Sequence, residues 1–225
     1  MEFKDYKNKI NCTPFYQTEQ SEIFITEKGT VCKYYFNIKD KTNEIYFNHF
    51  FNKECLLKTP EIYLIGDNFI EMEFLKKEEP FNIEKTIEEI SKLYKKTWNK
   101  ILSIKPIDLS KEKLSYRLNY LKEEIKKRNI DPKILCESKK FINKQYIFSD
   151  KNCVIHGDLK SAHIIFTNSG IKFIDLALAG ISNPWYDLSF LCMEEQKDKK
   201  KIFKETRDLS YSHFGHELGL NKNKI

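Results

Sequence analysis

Two aspartates, Asp158 and Asp175, bracket a short stretch whose other chemistry-bearing members are Lys160 and His163, with His156 just upstream. The apolar run Cys153-Val154-Ile155 leads into His156-Gly157-Asp158-Leu159-Lys160-Ser161-Ala162-His163. That run reads as a buried element that delivers Asp158 into a loop. A β-hairpin pattern follows: His163 to Thr167, the turn Asn168-Ser169-Gly170, then Ile171 to Asp175. Turn-forming residues between two β-branched apolar runs are a strong hairpin signal. The far end of such a hairpin carries Asp175 back towards Asp158. Two carboxylates at one end of a rigid hairpin suit magnesium and phosphoryl chemistry: one acid accepts a hydroxyl proton, and the other holds the metal that neutralises a polyphosphate.

His156-Gly157-Asp158-Leu159-Lys160-x-x-His163, then Ile174-Asp175-Leu176, Gly180 and Asn183-Pro184-Trp185-Tyr186-Asp187-Leu188 together resemble the aminoglycoside phosphotransferase and choline kinase branch of the protein-kinase-like fold. The protein-kinase loop has His-Arg-Asp-Leu-Lys-x-x-Asn, and the small-molecule branch has His-Gly-Asp. One position departs from the pattern: His163 stands where the family usually places a magnesium-binding asparagine. The resemblance implies an α+β, two-lobed fold. Residues 1–75 would form a small antiparallel β lobe with one helix that binds nucleotide. Residues 76–225 would form a larger, mainly helical lobe carrying the catalytic loop and the metal-binding hairpin.

The resemblance also assigns roles. Asp158 would be the catalytic base, and Lys160 would offset charge on the transferred phosphoryl group. Asp175 would hold Mg²⁺, with Mn²⁺ as an alternative ion. His163 either joins it as a ligand or braces the hairpin, because imidazole is a softer donor than magnesium prefers. His156 and Asp187 would be structural. Lys33, in Val31-Cys32-Lys33, would touch the α and β phosphates of ATP (or GTP), and Glu44 would aim it; Glu54 is the second choice for that partner. Ser21, in the turn Thr18-Glu19-Gln20-Ser21, would meet phosphate without the help of a glycine-rich loop. Glu73 and Leu75 would present backbone groups to the adenine edge, above an apolar floor of Ile165 and Ile174. The implied activity is transfer of a γ-phosphate to a hydroxyl of a small molecule such as an aminoglycoside, a choline-like alcohol or a sugar. An aromatic cage for choline would draw on Trp185, Tyr186 and Tyr211.

Composition sets the frame. A chain of 225 residues is long enough for one domain or for two small lobes sharing a cleft. The formal charge of +6 invites a nucleic-acid reading, but the lysines are spread along the chain and interleaved with glutamates. The six cysteines lie far apart with no Cys-x-x-Cys pair, so they read as reduced thiols rather than a zinc site or disulfide frame. No apolar run is long enough to span a bilayer and the start lacks a signal-peptide pattern, so a cytoplasmic protein is expected.

The elements that must position these residues follow from periodicity. Thr13 to Gln17, Ile23 to Thr26 and Val31 to Ile38 have strand composition, with Glu27-Lys28-Gly29 as a turn. Asn43 to Leu57 has helical spacing, with Asn43 as its cap. Ile62 to Ile65 and Phe69 to Phe74 are two further strands. Helices are expected from Asn82 to before Pro106, through Leu114 to Ile125, from Asp131-Pro132, from Asn183-Pro184 through Cys192, and in the lysine-rich tail. Two rival readings remain: a nucleotide-binding regulator without turnover, motivated by His163 and the missing glycine loop, and an RNA-binding lysine face.

Overall fold

The computed structural model describes residues 1–98, 153–193 and 206–218. The helices expected around Leu114 to Ile125 and after Asp131-Pro132 lie outside these residues. The chain divides into two units, Met1–Thr86 with Lys160–Ala177, and Ile87–Leu159 with Leu178–Ile225.

The first unit is built on a five-stranded antiparallel sheet. In chain order it holds α1 (Phe3–Lys9), β1 (Cys12–Gln17), β2 (Ser21–Thr26), β3 (Val31–Tyr35), α2 (Ile38–Lys53), β4 (Ile62–Ile65) and β5 (Phe69–Met72). The strand order across the sheet is β1-β2-β3-β5-β4. Alternation along β3 sends its residues to opposite faces. Cys32 joins Tyr6, Phe24 and Phe69 in one core layer, to which α1 also contributes Phe3. Tyr35 joins Ile70 and Met72 in the other, against Ile45 of α2. Lys33 shares the parity of Tyr35 and therefore projects on the α2 side.

The helix α2 begins five residues earlier than its apolar pattern suggests. Asn37 is its cap and accepts a hydrogen bond from the Lys39 amide at 3.0 Å. Asn43, expected as the cap, is buried inside the helix and donates to the Ala177 carbonyl at 2.8 Å. The reason lies in what the helix buries. Lys41, Asn43, Glu44 and Asn48 accompany Phe47, Phe50 and Phe51, so its first half carries no apolar stripe to read. Accordingly β3 stops at Tyr35, short of Ile38, and β5 stops at Met72, short of Phe74.

The hairpin that follows the loop is present as β7 (Ile164–Thr167) and β8 (Gly170–Phe173); the strand before the loop is β6 (Cys153–Ile155). Gly170 turns with a φ of 111°, in the region that favours glycine. The sequence places this hairpin in the lobe of residues 76–225, whereas the structure groups it with the N-terminal sheet. The Phe173 amide donates to the Lys58 carbonyl at 2.9 Å and the Glu78 amide to the Phe166 carbonyl at 2.9 Å. Lys172 pairs with the Glu73 carboxylate.

In the second unit, β6 pairs antiparallel with β9 (Gly180–Ser182). The helix α3 (Ile83–Thr97) starts in the first unit and continues here, burying Ile87, Ile90, Leu93 and Tyr94. Its cap is Asn82, whose side chain accepts from the Lys85 amide at 3.0 Å. Asn183 similarly caps α4 (Trp185–Met193), accepting from the Trp185 amide at 3.0 Å. A π-helical turn, Tyr211–Gly215, places buried Phe214 against the rings of Tyr94 and Trp185. Among the described residues Cys12, Cys32, Cys55 and Cys153 are free, and no helix is long and apolar enough to cross a membrane.

Candidate active site

Lys33 anchors the site in the first unit. Its ammonium donates to Glu44 Oε2 at 2.7 Å and to Asp175 Oδ1 at 2.8 Å. β3 and α2 supply the first two residues, and the end of the hairpin supplies the third. Glu44 also accepts from the Tyr35 hydroxyl at 2.6 Å. Glu44, rather than Glu54 at the end of α2, is thus the acid that meets the lysine. Burial works against the charge of Lys33, but the carboxylates of Asp175 and Glu44 outweigh it and hold its pKa above the ordinary lysine range. The Tyr35 hydroxyl is pushed well above its usual range by burial and by the charge of Glu44.

Asp175 is the most accessible member, with its side chain 38% exposed. Its backbone is left-handed at φ 62°, uncommon for a non-glycine residue and concentrated at functional sites. The preceding amide, of Ile174, donates to the His163 carbonyl at 3.0 Å, tying the end of the hairpin to its start. His163 Nε2 lies 3.4 Å from Asp175 Oδ2. A carboxylate with one oxygen on an ammonium and the other beside an imidazole offers hard and borderline donors together. That donor set fits Mg²⁺ or Mn²⁺. The contact brings His163 to the metal-site candidate and braces the hairpin at the same time.

The remaining first-unit residues fall as follows. Ser21 is buried at the start of β2, and its turn is closed by Thr18. The amides of Gln20 and Ser21 donate to Thr18 Oγ1 at 3.1 and 3.0 Å. The Glu73 amide donates to the Glu61 carbonyl at 2.8 Å, in continuation of the β4–β5 pairing. Leu75 is half-buried in the segment after β5. Ile165 faces Lys172 across the hairpin, and Ile174 shares their parity, so both isoleucines lie on one face with Lys172 between them. Lys160, half-buried, immediately precedes the 3₁₀ turn Ser161–His163.

Asp158 belongs to the second unit, where its loop is held by Asp187. The carboxylate of Asp187 is fully buried. Its Oδ2 accepts from the His156 amide at 2.7 Å and from the Tyr94 hydroxyl at 3.0 Å. Its Oδ1 accepts from the Gly157 amide at 2.6 Å. Gly157, at φ 84°, supplies the turn. The Asp158 amide donates to His156 Nδ1 at 3.3 Å, and Asp158 is itself buried. Burial first, and then the Asp187 charge, raises the Tyr94 hydroxyl and the Cys153 thiol well above their usual ranges.

Asp187 was legible as a structural acid, but its grip on the loop was not. The sequence signal was its place in Asn183-Pro184-Trp185-Tyr186-Asp187, while Tyr94 carried none beyond an apolar helical position. Two of the three aromatics proposed for a choline cage pack against other rings within this unit. Trp185 lies 5.8 Å from Phe214 between ring centroids, and Tyr211 lies 6.2 Å from His216.

Residues 102–216 match the phosphotransferase enzyme family, APH, a span that includes Asp158, His163, Asp175 and Asp187. No curated protein sequence matches significantly. Among solved structures, APH(2'')-IIa in a ternary complex with streptomycin and ATP superposes with a TM-score of 0.63 at 18% identity, covering 97% of this chain and 86% of that one. The choline kinase of Cryptosporidium parvum Iowa II gives 0.63 at 15% identity, covering 96% and 75%. An aminoglycoside-3'-phosphotransferase of type VIII gives 0.66 at 10% identity, covering 95% and 90%. Identities this low speak for the fold, which is α+β and kinase-like. With just over half of its length matched by the family, the chain belongs to the phosphotransferase enzyme family.

Proposed function

We propose that the protein transfers the γ-phosphoryl group of ATP or GTP to a hydroxyl of a small molecule, with residues 1–75 as a nucleotide-binding lobe and residues 76–225 as the lobe that carries the catalytic loop. The observation that carries this reading is Lys33, which bonds both Glu44 and Asp175, the latter 142 positions away in sequence. A fixed ammonium of this kind suits the α and β phosphates of a nucleotide. Glu44 aims it, while the backbone at Glu73 and Leu75 receives the base above Ile165 and Ile174. Ser21 faces the phosphates through its hydroxyl.

Asp175 and His163 would hold a divalent ion, Mg²⁺ or Mn²⁺. When bound, the ion supplies charge neutralisation on the polyphosphate. Asp158 accepts the proton of the acceptor hydroxyl as its oxygen bonds to the γ-phosphorus. The bond from that phosphorus to the β–γ bridging oxygen breaks, and the nucleoside diphosphate leaves. Lys160 offsets the charge on the phosphoryl oxygens during transfer. The buried Asp187 supports this assignment, because it fixes the loop that presents Asp158.

The acceptor is proposed to be an aminoglycoside, a choline-like alcohol or a sugar. Structures of similar fold are described as bound to streptomycin, gentamicin or kanamycin. Free cysteines among the described residues suit action in the cytoplasm.

The test is a screen of aminoglycosides, choline-like alcohols and sugars for acceptor-stimulated nucleotide consumption with Mg²⁺ and with Mn²⁺. Turnover that depends on metal and falls by about 10²-fold or more in Asp158→Ala is the expected result. Nucleotide binding without turnover under every condition would favour a regulator instead. Salt-sensitive RNA binding that ignores ATP would favour the lysine-face reading.

A further inference from the structure

We propose that Asn43 is a positioning residue for the metal site: it holds the main chain just after Asp175 and so keeps that carboxylate aimed at the divalent ion. This rests on the reading of Asp175 as the acid that holds the ion, and adds the group that fixes the acid's conformation.

The backbone of Asp175 needs outside support. Its φ of 62° lies in the left-handed region, which a residue with a Cβ occupies only where its surroundings over-determine it. On the hairpin side the restraint is the Ile174 amide, which donates to the His163 carbonyl at 3.0 Å. On the other side the chain continues into Leu176 and Ala177, both buried. There Asn43 Nδ2 donates to the Ala177 carbonyl at 2.8 Å and reaches the Leu176 carbonyl at 3.5 Å. The left-handed residue is thereby clamped on both sides.

Asn43 is 4% exposed and sits inside α2, where asparagine serves the helix less well than alanine or leucine would. Its amide is spent instead on a carbonyl 134 positions away. The next residue, Glu44, holds Lys33, which bonds Asp175 Oδ1 at 2.8 Å. α2 therefore reaches Asp175 twice, at the side chain through Lys33 and at the main chain through Asn43. Without the Asn43 amide the Ala177 carbonyl loses a donor in a buried place. The segment would shift to recover one, and rotation at the left-handed link would swing the Asp175 carboxylate off the ion. Groups that orient a metal ligand without touching the metal commonly change affinity by about 10–100-fold.

Asn48 supplies the control. It lies on the same helix, is 5% exposed, and its Nδ2 donates to a main-chain carbonyl at 2.8 Å, but that carbonyl belongs to Pro60. Binding of Mn²⁺ to the full chain is read from the paramagnetic resonance signal of the free ion, with urea midpoints alongside. Asn43→Ala and Asn43→Leu, the latter similar in shape but with no donor, are expected to weaken Mn²⁺ binding about tenfold. Asn48→Ala is expected to lower the urea midpoint comparably and to leave Mn²⁺ affinity within about twofold of wild type. Unchanged Mn²⁺ affinity in a folded Asn43 variant, an equal loss in Asn48→Ala, or failure of both Asn43 variants to fold would overturn the inference while leaving Asp175 as the metal acid. Absence of Mn²⁺ binding by wild type would overturn that reading and this inference with it.

Discussion

Lys33 in the first unit bonds two carboxylates, and Asp187 in the second has a hydroxyl and two backbone amides among its partners. Both are buried. Around Lys33 stand the carboxylates of Glu44 and Asp175, and Asp40 is close enough for the three to influence one another. Among the described residues Lys33 stands beside three acids, and the Asp175 side chain is 38% exposed. Such a cluster attracts a cation and can exchange partners. Around Asp187 stand a tyrosine hydroxyl and two backbone amides, which cannot leave without breaking the loop. The first arrangement is suited to a ligand, the second to a shape. Substitutions should therefore separate: those near Lys33 should affect binding more than stability, and those near Asp187 the reverse.

The largest stability effect is expected for Asp187→Ala. It strands two amides and a hydroxyl in a fully buried place, at a cost of about 3–9 kcal/mol when each of the three unmet donors costs roughly 1–3. Urea denaturation followed by fluorescence measures this. A midpoint within error of wild type would show that the loop does not depend on its anchor.

Lys33→Met should behave differently. Glu44 keeps the Tyr35 hydroxyl and Asp175 can turn to water, so the stability loss should be smaller, about 1–3 kcal/mol. Mg·ATP affinity, in contrast, should fall at least about tenfold. Equal binding by the variant would remove Lys33 from the phosphate site. The sign of the lysine's linkage matters to the measurement. Its folded pKa is raised, so its contribution is fully present below the ordinary lysine range and fades only as pH climbs through the folded value. Experiments near neutrality therefore see it intact.

The same contrast explains what the sequence revealed. The residues around Asp158 and Asp175 were legible because their types, order and spacing resemble the pattern of the family whose model matches residues 102–216. The hairpin was legible from turn residues between β-branched runs. Glu44 was legible as the partner of Lys33 from its spacing along the chain. The start of α2 was not, because that end of the helix buries Lys41, Asn43 and Glu44, and hydrophobic periodicity cannot register a polar interior. The hold of Tyr94 on Asp187 was hidden for a related reason. On the helix a tyrosine counts as apolar, and nothing local reports where its hydroxyl goes. The grouping of the hairpin with the N-terminal sheet depends on contacts such as Lys172 with Glu73, far apart in sequence. α1, absent from the sequence reading, packs through Phe3 and Tyr6, too short a repeat to establish a period.

The smallest effect sharpens the comparison from the acidic side. Asp40 lies in the first turn of α2, one turn before Glu44. Burial raises its pKa; Lys33 pulls it down, and Asp175 and Glu44 push it up again, leaving it above the usual aspartate value. The folded chain thus binds this proton more tightly than the unfolded chain does. Folding loses stability as pH rises from the unfolded pKa through the folded one, and the full cost is present at neutrality. Asp40→Asn removes the cost, against which stands the lost attraction of a negative charge to the helix N-terminus, about 0.3–1 kcal/mol. The expected outcome is a slightly higher urea midpoint at pH 7, with a gain that shrinks as pH falls towards about 4, where the aspartate in both states takes up its proton. A lower midpoint at pH 7 would mean that the helix terminus outweighs the neighbouring acids, and the region around Lys33 would then not be over-supplied with negative charge.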